Sequence, residues 1–201
     1  MEHALPAPGC HRGLISVGRL HGGDRAAVLE VFERMSERSR RLRFHGPKPV
    51  LGETELDMLV DVGCCGREAV AATDLVTGTV VGTARFVRDD DDPHSAEVAF
   101  EVVDDCQGRG VGRRLLSELS ALARRAGIER FHAAVVPGNE PALTLLRRSG
   151  RLIGSTFVGG VHELEIELDP HSMRQAGIRE REFRPRNEPA AASRPRGTRA
   201  A

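Results

Sequence analysis

A chain of 201 residues, 40% of them hydrophobic, is long enough for one ordinary globular domain with tails and too short for two generous ones. Its 29 basic residues balance its 29 acidic ones, so no net field directs it to nucleic acid or to an anionic membrane. No apolar signal core opens the chain and nowhere do about 18 apolar residues run together, which argues against secretion and against a membrane-spanning helix.

The four cysteines, Cys10, Cys64, Cys65 and Cys106, are few and irregularly spaced, which is not a disulfide framework and points to a reducing cytoplasm. Lys48 is the single lysine, and tryptophan and tyrosine are absent. Residues 1–12 are expected to form a flexible leader. A strand follows at Leu14 to Leu20, then an amphipathic helix opened by Asp24, whose apolar face is Ala27, Leu29, Val31, Phe32 and Met35. The arginine-rich stretch Ser36 to Phe44 predicts a second short helix stopped by Gly46 and Pro47, and Gly52 to Val60 a third. Arg67 to Asp74 and Thr79 to Arg88 are β-type runs around a four-residue turn, the pattern of an antiparallel hairpin. Ser95 to Val103 is the next strand. The acidic turn before it, Asp89 to Pro93, lacks the convergent ligand spacing of a metal cage, and no metal is expected.

The helix after Gly110 aligns Val111, Leu115, Leu119, Leu122 and Ala126, with Gly127 as its stop. Ile128 to Val136 reads as a buried strand and Pro141 to Ser149 as a short helix. Leu164, Ile166 and Leu168 alternate with Glu163, Glu165 and Glu167, so the last strand has one buried and one wet face. From Asp169 the composition turns to Arg, Pro, Glu and Ala, with three prolines between Arg184 and Ala201, the signature of a disordered tail over 169–201. The folded domain is thus expected over 13–168, as an α+β arrangement around a mixed central sheet.

Strand, glycine-rich turn, long helix is an arrangement that makes an anion site from backbone. The first helical turn leaves N–H donors unpaired, the helix dipole favours negative charge there, and glycines let a phosphate approach closely. Gly108, Gly110 and Gly112 provide those glycines, and Arg109, Arg113 and Arg114 surround the entrance with positive charge. A Walker A loop would need Lys-Ser/Thr after its glycines, where this chain has Arg113-Arg114. A dinucleotide fingerprint would need G-x-G-x-x-G in a first βαβ unit, and the spacing here is different. A tight turn that binds nothing is the remaining alternative.

Gln107-Gly108-Arg109-Gly110-Val111-Gly112 resembles the acetyl-CoA signature of the GNAT superfamily, Gln/Arg-x-x-Gly-x-Gly/Ala, with Gln107, Gly110 and Gly112 in its three defining places. Asn139, Ala142 and Gly150 match the family's second landmark, an Asn after the fifth strand with Ala three residues on and Gly after the short helix. The resemblance implies a GNAT fold of about six to seven strands with splayed fourth and fifth strands. It further implies acetyl-CoA as cosubstrate, its pantetheine arm pairing with backbone near Val102 and Val103, its pyrophosphate on residues 107 to 113, and a contact from Asn139.

Transfer to an amine needs the amine neutral, and a free lysine keeps its proton up to a pKa of about 10.4, so a base is required. In many GNAT members a glutamate early in the fourth strand serves. Glu97 in Ser95-Ala96-Glu97-Val98-Ala99 is therefore the candidate general base, with Glu101, on the same strand face by the period of two, as its rival. The family's frequent leaving-group acid, a tyrosine seven residues after the Asn, is Leu146 here, so no side-chain acid is identifiable. His132 and His162 each sit singly in apolar runs and are expected to be packed, hydrogen-bonded histidines.

The stretch Ser36 to Phe44 with Pro47 and Leu51, and the segment Val98 to Gly112, resemble the catalytic domains of bacterial protein lysine acetyltransferases. The implied acceptor is a protein lysine, the alternatives being a small amine such as an aminoglycoside or polyamine, or a non-catalytic acetyl-CoA sensor. The arginine cluster of that stretch either binds the acceptor or is a solvated helix face. No nucleic acid or membrane partner is expected, and the chain would act as a monomer or homodimer in the cytoplasm.

Overall fold

A computed structural model describes residues 14–169. The expected leader over 1–12 and the expected tail beyond Asp169 lie outside the described residues. In chain order the elements are β1 (Ile15–Arg19), α1 (Arg25–Glu33), α2 (Glu37–Phe44), α3 (Glu53–Val60), β2 (Arg67–Asp74), β3 (Val80–Arg88), β4 (Ser95–Val102), a 3-10 turn at Asp104–Cys106, α4 (Val111–Arg125), β5 (Arg130–Val135), α5 (Glu140–Ser149), β6 (Gly150–Val158) and β7 (Val161–Leu168).

Local chemistry starts and stops these elements as the sequence implies. Asp24 caps α1 by accepting from the N–H of Ala27 at 3.1 Å, and Ser36 caps α2 by accepting from that of Ser39 at 3.2 Å. Pro141 stands in the first turn of α5, where its missing N–H costs nothing. The strands form one seven-stranded sheet in the order β1-β2-β3-β4-β5-β7-β6. Every neighbouring pair is antiparallel except β4 and β5.

That parallel pair positions the site. β4 and β5 are in register only over Ser95↔Arg130, Ala96↔Phe131 and Glu97↔His132. Beyond Glu97 the strands part, as the family resemblance implies, and backbone groups along both edges lose their ladder partners. α4 lies under one face of the sheet and its apolar stripe is buried as expected: Val111, Leu115, Leu119 and Leu122 are all 8% exposed or less. Phe86 of β3 and Phe131 of β5 meet on that same face with ring centroids 6.2 Å apart. Burial of each such side chain contributes on the order of 1.5–3 kcal/mol, so the α4 face is the energetic centre of the domain. α1 covers β3 on the opposite face. The wet side of β7, Glu163, Glu165 and Glu167, stays exposed there.

β6 is an addition to the expected elements, since the sequence shows one strand after α5 and the structure has two. Six of its nine residues are exposed, so it has no apolar alternation to announce it. Among the described residues it is an edge strand that pairs only with β7, through a hairpin turned by Gly159 and Gly160.

Candidate active site

A cavity of about 250 Å³ fills the wedge between β4 and β5. Its walls are β4 from Glu97 to Val102, β5 from Ala133 to Val135, the start of the glycine turn with Gly112 of α4, the start of α5, and α2. Glu97, Val102, Gln107, Gly108, Gly112 and Asn139 therefore share one cavity, although up to 42 residues of chain separate them. Arg109, Gly110, Val111 and Arg113 stand outside its walls, on the glycine turn and the first turn of α4. Val103 is buried, and its N–H is bonded to the Val81 carbonyl at 3.0 Å, so it faces the sheet rather than the wedge.

The glycine turn has the shape an anion requires. Gly110, with φ +84°, is the N-cap of α4 and offers no side chain to the first N–H groups of that helix. These donors and the α4 dipole point out of a 15-residue helix flanked by Arg109, Arg113 and Arg114. Nothing lies within 4 Å of where a Cβ at Gly108 or Gly110 would stand. Open backbone donors, positive charge and an adjoining slot of this size fit the pyrophosphate and pantetheine arm of acetyl-CoA.

The second landmark also acquires a physical reason. Asn139 is the N-cap of α5, and its Oδ1 accepts from the N–H of Ala142 at 3.4 Å. The three-residue interval between Asn and Ala is thus the reach of a capping side chain.

The two glutamates of β4 differ in environment. Glu101 is engaged: Arg43 Nε donates to its Oε2 at 2.5 Å and the Thr83 hydroxyl donates to Oε1. Both members of the ion pair are largely withdrawn from solvent, with side chains 16% and 14% exposed. Glu97 is exposed at the wedge, directly across from His132 on β5, and makes no hydrogen bond or ion pair with another described residue. On the same face burial lowers the Arg85 guanidinium from its ordinary value, with Arg43 adding to the effect.

His132 is held by Asp89, with both carboxylate oxygens 2.8 Å from Nε2, and the His162 ring lies 5.0 Å from that of Phe157. His132 is hydrogen-bonded as expected but only half-buried, and His162, also half-buried, makes a ring contact and no hydrogen bond with another described residue. The acidic turn is likewise used locally, since Asp92 accepts from the His94 N–H at 3.0 Å and from Arg130 at 2.5 Å.

The arginine cluster of α2 divides into two kinds. Arg40 is glue: it donates to the carbonyls of Phe32, Glu33 and Pro49 and lies 4.2 Å over the Phe32 ring. It thereby satisfies the Glu33 carbonyl left open at the end of α1. Arg43 is tied to Glu101. Arg38, by contrast, is exposed on the cavity wall.

Contacts that the sequence did not announce bind α2 to the glycine turn. Asp104 accepts from the backbone N–H of Ser36 at 2.7 Å, from its hydroxyl at 2.7 Å and from the Ser39 hydroxyl at 2.8 Å. Gln107 Nε2 donates to Ser39 Oγ at 3.2 Å and to the Val102 carbonyl at 3.0 Å. Burial by itself pushes the Asp104 carboxyl up, but the hydrogen bonds from Ser36 and Ser39 outweigh it and hold the group below the usual carboxylate range. A depressed folded-state pKa means that the carboxylate contributes stability above its unfolded value of about 3.9, and that this is lost as pH falls through the lower folded value. Asp104→Asn is therefore expected to melt below the wild type at neutral pH. The gap should close when melting is followed below about pH 4, and a gap independent of pH would show that charge is not the cause.

Comparison with known proteins agrees with this geometry. The acetyltransferase (GNAT) family profile matches residues 29–150. Acetyltransferase Pat of Mycolicibacterium smegmatis is 37% identical over 118 residues, which cover 57% of this chain and 34% of that protein, so the chain spans about a third of that relative's length. The crystal structure of the GNAT domain of S. lividans PAT superposes with a TM-score of 0.67 at 31% identity, over 76% of this chain and 89% of that one. A cAMP-binding acyltransferase from Mycobacterium smegmatis gives 0.55 at 27% identity, over 83% of this chain and 46% of that one. With the family's profile matched across the helices, the sheet and the glycine turn that frame the wedge, the chain belongs to the GNAT family of acetyltransferases, whose acetyl donor is acetyl-CoA.

Proposed function

We propose that the chain transfers the acetyl group of acetyl-CoA to a protein lysine, with Glu97 as the general base. The observation that carries this reading is the contrast within β4: Glu101 is occupied by Arg43 and Thr83, whereas Glu97 is exposed and uncommitted at the mouth of the wedge. A carboxylate there can take the proton that an ammonium must lose before its nitrogen attacks. Bound in the slot, acetyl-CoA supplies the activated acetyl group. Gln107 to Arg113 hold its pyrophosphate on the α4 N-terminus, Val102 offers backbone along the opened edge of β4, and Asn139 closes the far wall.

Two features favour a protein acceptor over a small polyamine. Of the carboxylates on the cavity wall, Glu101 and Asp104 are committed to internal partners, and Arg38 and Arg43 stand beside them, so the cavity is not the acidic pocket a polyamine needs. Beyond Glu97 the sheet opens onto the exposed glutamates of β7, a surface on which a lysine-bearing protein segment can lie. The similarity to Pat and to the GNAT domain of PAT points the same way. The free thiols Cys64, Cys65 and Cys106 accord with a cytoplasmic site of action.

The test is a lysate incubated with the enzyme and isotopically labelled acetyl-CoA and analysed by mass spectrometry. A panel of polyamines and aminoglycosides is assayed in parallel for release of the CoA thiol. Labelled acetyl-lysine on a restricted set of proteins is expected. Thiol release with small amines only would overturn the protein-lysine assignment, and tight acetyl-CoA binding with transfer to nothing would overturn the catalytic one.

A further inference from the structure

The place where many relatives carry a tyrosine is Leu146, which is fully buried, and the chain holds no tyrosine. Among the described residues that wall the cavity, those with a hydrogen on N, O or S are Arg38, Ser39, Arg43, His45, Cys106, Gln107 and Asn139. Arginine does not release its proton, and hydroxyl and amide are far weaker acids than a thiol. Cys106 is sealed at 0% exposure. His45 is left.

Three features place its imidazole for the task. It is the C-cap of α2, with φ +59°, one of only two non-glycine residues at positive φ among those described. A left-handed conformation at a bulky residue is costly and persists where surrounding contacts enforce it. The enforcing contact is long-range: Nε2 lies 3.1 Å from the carbonyl oxygen of Ala134, on β5. A carbonyl only accepts, so Nε2 carries a hydrogen and the ring is pinned across the wedge by that bond. The other nitrogen, Nδ1, is then the one that exchanges its proton. Ala134 is itself a wall of the cavity, next to Ala133 and opposite the part of β4 that includes Glu97 and Ala99.

We propose that His45 is the leaving-group acid of this enzyme, in the role for which the sequence offers no tyrosine. The inference rests on the acetyl-transfer reading above. An imidazolium is a stronger acid than an alkyl thiol, so transfer to a departing thiolate runs downhill. When the C–S bond breaks with its electron pair on sulfur, Nδ1–H of the His45 imidazolium gives the sulfur its proton while Nε2–H stays on Ala134. Glu97 passes to solvent both protons that the ammonium loses on its way to the amide, one before attack and one as the C–N bond forms, and the neutral ring regains one proton from solvent. One proton is thus released per acetyl group transferred, and charge balances.

The groups around His45 bear on any pH dependence. Arg43 precedes it on α2 with its charge committed to Glu101, Lys48 follows and is paired with Glu55, Glu97 faces the wedge from β4, and His132, in register with Glu97 on β5, is held by Asp89.

The experiment compares the wild type with His45→Gln, whose amide can still donate to Ala134 but cannot act as an acid. With acetyl-CoA and an Nα-blocked lysine peptide, kcat of the variant should fall about tenfold, since thiolate is a fair leaving group unaided, and KM for acetyl-CoA should stay within about twofold. Free imidazole should restore activity to His45→Ala. Unchanged kcat in His45→Gln, or no rescue of His45→Ala by imidazole, would overturn the assignment to His45. A wild type that transfers acetyl to no amine would instead overturn the acetyl-transfer reading.

Discussion

Glu97→Gln is expected to lower kcat at saturating acetyl-CoA about a hundredfold at neutral pH and to leave KM for acetyl-CoA within about twofold of the wild type. Glutamine matches the shape of glutamate and keeps a hydrogen-bonding side chain, but it cannot take a proton. Because Glu97 is exposed and makes no hydrogen bond or ion pair with another described residue, its replacement removes no packing, and stability should stay within about 0.5 kcal/mol. The deficit should shrink as pH rises toward about 10, where a lysine acceptor sheds its proton without help. A fall of less than about threefold would show that Glu97 is not the base. Glu101→Gln supplies the contrast. It strips Arg43 and Thr83 of a shared acceptor in a partly buried setting, so its cost should emerge as a lower melting temperature, not as a pH-dependent rate.

The difference between the two glutamates shows where sequence reading stops. Their spacing of four puts both on one face of β4 by the two-residue period of a strand, and that much is legible. Which of them is free depends on Arg43, 58 residues from Glu101 in the chain, and no local pattern records such a pairing. The same holds for Ser36 with Asp104, 68 residues apart, and for His45 with Ala134, 89 apart. His45 had one local signal, its position between the arginine-rich helix and Gly46-Pro47, where the helix had to end. That signal marks a stop and says nothing about where the ring points.

What was legible is what local chemistry encodes. Gln107 to Gly112 could be found because a helix N-terminus that binds an anion needs small residues and open donors at fixed offsets from the first helical residue. Asn139 and Ala142 are legible through the family resemblance, and the capping bond between them supplies the physical reason for their interval. The α4 stripe was plain because its partners under the sheet demand a 3.6-residue period, whereas β6, mostly wet, has no such demand to leave a trace. Arg40 and Arg43 show the limit of composition: a run of arginines on a short helix resembles a docking surface, yet both are anchored inside the chain.

Gly150, the last residue of the second landmark, is expected to be required for packing and not for the cofactor. It ends α5 and opens β6 without an intervening turn, and its φ of 176° is extended backbone that any residue adopts. The constraint is the neighbour: a Cβ there would stand 2.0 Å from the carbonyl oxygen of Glu167 and 3.0 Å from Cγ2 of Ile166. Glu167 is backbone of β7, held between β5 and β6, and Ile166 is fully buried, so neither can yield without disturbing strand pairing. Gly150→Ala should therefore destabilise the domain by about 3 kcal/mol, the upper end for overpacking, because a carbonyl in a ladder cannot rotate away. At about 2–4 °C per kcal/mol for a chain of this size, the melting temperature should drop by roughly 6–12 °C. Acetyl-CoA affinity measured well below that temperature should change much less, because the Asn139 cap at the other end of α5 is untouched. A variant that melts like the wild type but loses acetyl-CoA binding would contradict the packing argument and assign Gly150 to the cofactor site.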